Sequence, residues 1–168
     1  MLCAQPLVPA AQWTSLITGK RPWQHHVCHQ AEWDAQAQRL VPVSATQRQS
    51  APLWEILARN GRRSLVIGWP ATHGSRGERV TIVSNRYAEP TAGPGTKPWP
   101  AAIAGTYWPE RVGSTLDRLR VSPEVIQADL IAHLVPDWRT VDQKRDRRLG
   151  HLQVFLATDL SYHAAMME

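Results

Sequence analysis

Cysteine is scarce. Cys3 and Cys28 are the whole complement of a 168-residue chain, too few for a disulfide framework and without the CxxC spacing of a zinc site. A reducing, cytoplasmic setting is the expectation. No apolar run approaches the roughly 18 residues that span a bilayer, and Met1-Leu2-Cys3-Ala4-Gln5 has neither the basic start nor the apolar stretch of a secretory signal. A membrane partner is therefore not expected. Internal repeats are absent, and low complexity is confined to the Pro/Gly-rich Glu89 to Pro100. Acid is in deficit, with 14 Asp+Glu against 19 Lys+Arg and a net charge of +5. The cationic excess is diffuse, however, and its densest run, Lys144-Arg145-Asp146-Arg147-Arg148, is interrupted by an acid within a helical pattern. That reads as a solvated helix face, not as a nucleic-acid contact.

What is present suits a folded chain: 43% hydrophobic and 20% charged residues are close to the globular average, and the length matches one domain. Pro9 in a first turn, good helix formers from Ala10 to Ile17, and Gly19 and Pro22 beyond predict a helix ending at Thr18-Gly19. Residues 23 to 50 show no sustained period and read as a loop with a short strand at Arg39 to Val43. Ser50 as cap and Pro52 as opener predict a helix to Asn60-Gly61, followed by a buried strand from Ser64 to Trp69. Helix, glycine cap and apolar strand form the αβ half of a parallel unit. Residues 70 to 113 read as a loop-rich insertion or cap with one strand, Val80 to Val83. Ser122-Pro123-Glu124 predicts a helix through Ile126, Leu130 and Leu134 that Pro136 stops. A long amphipathic helix is expected from Val141 to Met167, with Leu149, Leu152, Phe155, Leu156, Leu160 and a partly buried His163 on one side.

The chemistry concentrates in Trp13-Thr14-Ser15-Leu16-Ile17-Thr18-Gly19-Lys20-Arg21-Pro22-Trp23-Gln24-His25-His26. Hydroxyls on a helix, followed by cations and imidazoles, are the groups phosphoryl transfer uses: an anion-binding helix end and a nucleophilic oxygen. His73, at the C-terminal end of a predicted strand, stands where α/β folds place ligands. His25, His26 and His29 lack a carboxylate partner for a metal.

The runs "PAAQWTSLITGKRPWQHHV", "VPVSATQRQSAPLWEILARNGRRSLVIGWPATHG", "VTIVSNRY" and the closing "DQKRDRRLGHLQVFLATDLSYHAAMME" resemble, in order and spacing, the type I phosphodiesterase/nucleotide pyrophosphatase branch of the alkaline phosphatase superfamily. The resemblance implies an α/β fold, part of a three-layer α/β/α core. It also implies hydrolysis of phosphate esters by a Thr or Ser nucleophile with two divalent cations, commonly zinc, held by Asp and His. Counted back from the Thr18-Gly19 pair, the family's nucleophile falls on Pro9, and a slip in register would move the role to Thr14 or Ser15. Thr14 would lie well inside the predicted helix, where a hydroxyl tends to bond to backbone. Lys20 matches a position where the superfamily often keeps a phosphate-contacting cation. The family's usual His-Gly is His25-His26 here, with an imidazole where glycine serves a positive-φ turn. The metal-binding Asp and His fall outside the matched runs, so the expectation is a partial domain, truncated at both ends. It would hold no metal alone, be inactive alone, and be prone to self-association through unpaired sheet edges. A non-catalytic binding domain built on the eight tryptophans, Trp99 and Trp108 among them, is the alternative.

Overall fold

A computed structural model describes residues 8–88, 102–142 and 144–168 of the chain. The prolines, glycines and Trp99 between Glu89 and Pro100, and Cys3, lie outside the described residues. The chain divides into two compact units, one holding the described residues of Met1–Tyr87 with Ile103–Val112, the other those of Ala88–Ala102 with Gly113–Glu168.

The first unit opens with α1 (Pro9–Thr18), its bounds those expected. Pro9 occupies the first turn, and Gly19, at φ +64°, donates its N–H to the Ser15 carbonyl as a left-handed helix stop. Ala10, Ala11, Thr14, Ile17 and Thr18 form the buried stripe, at the three-to-four-residue spacing of one helix face. A one-turn helix, α2 (Pro22–His25), follows and closes on His26 at φ +63°. The left-handed position expected of a glycine is thus kept by an imidazole.

Residues 23 to 50 hold more than the expected single strand. β1 (Ala31–Asp34) and β2 (Arg39–Pro42) pair antiparallel, Trp33 opposite Leu40. The Asp34 carboxylate accepts the N–H groups of Gln36 and Ala37 at 2.9 and 3.0 Å, which makes the turn. Neither strand alternates buried and exposed residues, which is why no period marked β1.

The helix expected after Pro52 is α3 (Leu53–Arg59). Ser50 does not cap it: its hydroxyl donates to the Gln24 carbonyl at 3.1 Å, and Pro52, with no side-chain cap, stands at the N-terminus. β3 (Ser64–Ile67) runs parallel to β4 (Val80–Val83), Ser64 beside Val80 and Ile67 beside Val83. A further strand, β5 (Tyr107–Trp108), pairs antiparallel with the far side of β4, giving the order β3-β4-β5. β3 is shorter than expected because Gly68, at φ +64°, turns the chain away. Ile17, Trp54, Val66, Val80 and Ile82 form the core beneath this sheet, with Trp69 and Trp108 against it. The chain is mixed α/β with two small sheets, in line with the expected class.

The second unit is helical: α4 (Gly113–Arg118), α5 (Ala128–Leu134) and α6 (Arg148–Met167). Ser122 caps a single 3-10 turn, Pro123–Val125, instead of a continuous helix, and the chain is extended at Ile126 and Gln127 before α5 begins. The expected start of the last helix moves from Val141 to Arg148. The Asp142 and Asp146 carboxylates accept the N–H groups of Lys144 and Arg148 at 3.0 Å each, so turns compete with helix there. The Arg148 guanidinium draws the Asp146 carboxyl down to about 2. α6 buries Leu149, Val154, Ala157, Ser161 and Ala165; Phe155, Leu160 and His163 are exposed, a correction to the face read from periodicity. The stripe is small because the packing is close: Ser161 accepts the Val121 N–H at 2.8 Å and donates to the Ala157 carbonyl at 2.7 Å. Among the described residues no helix is long and apolar enough to cross a membrane.

Candidate active site

The hydroxyls of α1 have separate fates. Pro9, exposed at the helix start, offers no nucleophilic atom. Thr14 is fully buried, and its Oγ1 has no hydrogen-bond partner. Its carbonyl, not its hydroxyl, meets a side chain, accepting from Thr18 Oγ1 at 2.7 Å. Ser15 lies 2.9 Å from Nε2 of His25, brought there because α2 folds back along α1. The tautomer follows from the other ring nitrogen. Nδ1 of His25 accepts the Val27 N–H at 3.1 Å, so the ring proton sits on Nε2 and is donated to Ser15. Burial pushes the His25 pKa below the usual imidazole value, only partly opposed by the Ala11 carbonyl, and the nearby charges of Arg48 and His26 act in the same direction as burial. His25 is thus a neutral donor to Ser15, not a base poised to take its proton.

Lys20 is exposed one residue beyond the helix stop, its N–H bonded to Thr18 Oγ1 at 3.2 Å. His26 and His29 are also exposed, and neither joins His25 in a ligand set.

The loops that leave the C-terminal ends of β3 and β4 meet through a residue that sequence reasoning passed over. Asn85 Oδ1 accepts the N–H groups of Thr72 and His73 at 3.1 and 3.2 Å, and its own N–H donates to Thr72 Oγ1 at 3.2 Å. Thr72 is fully buried, so this exchange locks the two loops. Asn85 was visible only as one letter of the run VTIVSNRY. The His73 carbonyl accepts from Ala45, its Nδ1 lies 3.5 Å from Ser84 Oγ, and its ring packs on Gly105. Gly105 holds φ +86°, which favours glycine, and a Cβ there would press on Gly74 Cα at 3.3 Å.

Beside these loops opens a polar cleft of about 370 Å³ bordered by Arg48, Glu55, Arg59, Ser75 and Arg76. Arg48 is the second residue without a sequence signal. Its side chain is 5% exposed, stacks over Trp54 and reaches the Ala71 carbonyl at 3.4 Å and Ser75 Oγ at 3.3 Å. Among the described residues its carboxylate neighbour is Glu55, 4.0 Å away. Burial lowers the Arg48 pKa, with Glu55 opposing. Three guanidiniums against one carboxylate leave the cleft positive, suited to an anion. Thr14 and Lys20 do not line it.

The family model for type I phosphodiesterase / nucleotide pyrophosphatase matches residues 1–159. The chain belongs to this family. No curated protein and no solved structure matches it significantly. Membership in the type I phosphodiesterase/nucleotide pyrophosphatase family makes phosphate esters the substrate class to weigh against the geometry. The family also implies divalent metal, commonly zinc, which needs three or four convergent donors. Among the described residues no group of three or more His, Cys, Asp and Glu side chains comes together, and both nitrogens of His25 are engaged. These residues do not fit a metal centre.

Proposed function

We propose that this chain is one portion of a metal-dependent phosphohydrolase, able to seat a phosphate ester in the cleft under Arg48 but inactive alone. The observation that carries the reading is the commitment of the α1 and α2 groups to each other. Ser15 receives the proton of a neutral His25, Thr14 is enclosed, and the family's nucleophile register falls on Pro9. None of these supplies an activated oxygen facing the cleft.

The test is hydrolysis of bis-p-nitrophenyl phosphate and p-nitrophenyl phosphate by the full chain, with zinc or manganese added. No turnover above background is expected. Turnover that survives repurification and disappears in Thr14→Ala would reject the reading and restore Thr14 as nucleophile.

A second reading, partner recognition through tryptophan, is favoured by the exposure of Trp23 and Trp33, 64% and 60%, in a residue type that dominates interface hot spots. Trp108 does not contribute: it packs on the core and donates Nε1–H to the Gly77 carbonyl at 2.6 Å. Self-association completes the proposal. β3 pairs with β4 on one side, and among the described residues no strand pairs its other edge, a template for a second chain.

A further inference from the structure

The opposite end of the same strands carries a second feature, independent of the phosphohydrolase reading. A cleft of about 540 Å³ opens at the N-terminal ends of β3 and β4, lined among others by Arg63, Ser64, Arg79, Thr81, Trp108 and Arg111. Among the described residues no acidic side chain lines it. The three arginines come from separate segments: the link into β3, the turn into β4, and the turn after β5. None of them is ion-paired within the described residues.

Solvated surface guanidiniums alone would carry nothing, but the backbone that holds one of them sets this cleft apart. Arg79 holds φ +54°, a left-handed conformation that costs any L-residue free energy and that glycine adopts without strain. Its carbonyl accepts the Ser64 N–H at 2.9 Å, which fixes the turn against β3. Local strain of this kind clusters where a side chain is held for a ligand.

We propose that this cleft binds a small polyphosphate anion. Three like charges without a counter-ion call for a ligand of two or more negative charges. The cleft is far larger than one phosphate group, and its cations sit on separate segments, so a chain of phosphates reaches more of them than a single one. Thr81 lines the cleft beside the guanidiniums, and its hydroxyl adds a neutral donor.

Isothermal titration calorimetry of the full chain with inorganic pyrophosphate and with inorganic phosphate, at low salt, tests this. Binding is expected, tighter for pyrophosphate and weakening as salt rises. Arg79→Gly and Arg111→Ala should each weaken it about tenfold, the loss of one charge-assisted contact. Arg79→Gly should at the same time raise the melting temperature, since it relieves the backbone; affinity and stability then move in opposite directions, which a merely structural arginine would not produce. Arg39→Ala, on the β1–β2 hairpin and outside both clefts, should leave affinity unchanged. Three results overturn the proposal: no heat of binding at millimolar pyrophosphate, full affinity retained in the Arg79 and Arg111 variants, or equal heats with sulfate, which would mean general charge screening only.

Discussion

An enclosed hydroxyl without a partner costs about 1–3 kcal/mol, and Thr14 carries one. Valine has nearly the same shape without the polar atom. Thr14→Val is therefore expected to stabilise the chain by about 1 kcal/mol, read as a higher urea midpoint at unchanged m; a loss of stability would show that the hydroxyl has a partner in solution. His25 sets a pH dependence. Its folded pKa is depressed by burial, so protons bind the unfolded state more readily. Its contribution is complete above the ordinary imidazole value of about 6.5 and is lost as pH falls towards and through the folded pKa. Urea melts between pH 8 and pH 5 should show stability falling with acid, and His25→Gln should flatten that slope. At this scale the sequence named the hydroxyls and imidazoles of α1 and α2 but not their pairings. That Ser15, not Thr14, meets His25 depends on the turn at Arg21–Pro22, and Arg48 and Asn85 reach the site only through contacts with residues 71 to 75, far from them in the chain.

Two left-handed helix stops, Gly19 and His26, offer a matched pair at the level of the element. A Cβ on Gly19 would meet nothing within 4 Å, so Gly19→Ala isolates the backbone cost and should destabilise by about 1–2 kcal/mol. His26→Gly reverses the situation and should stabilise by up to about 1 kcal/mol, the gain reduced by the extra freedom of glycine in the unfolded chain. Thermal melts of both variants check the pair; equal signs would refute it. The elements legible in advance were those with local punctuation: α1 between Pro9 and Gly19, and the α3–β3 run around Asn60-Gly61. β1 and β5 were not, because their partners are distant or their faces exposed, and pairing is decided by tertiary context. The start of α6 was missed for a different reason. Hydrophobic spacing extends back to Val141, but two aspartates hold the chain in turns, and periodicity does not register that competition.

Across the whole molecule, the β3 edge that no strand among the described residues pairs sets the solution behaviour proposed above. Leu65, on that strand, is 59% exposed, and an open apolar edge invites pairing with another copy. Sedimentation velocity should reveal concentration-dependent association, and Leu65→Lys should shift the population towards monomer, as charge on an edge strand does. A monodisperse monomer at all concentrations would remove self-association and favour the tryptophan-recognition reading. The β1–β2 hairpin has the opposite character. Two strands alone are marginal in water, and this pair, with Trp33 and Leu40 both turned to solvent, is fastened mainly by its own ladder. β4, paired on both sides and buried along Val80, Ile82 and Val83, is held by the sheet and the core together. Amide exchange should separate the two by orders of magnitude, the hairpin opening by itself while β4 exchanges only when its unit unfolds. The tip at residues 35–38 is consequently the place where a protease can cut, or a foreign segment be grafted, without disturbing the three-stranded sheet.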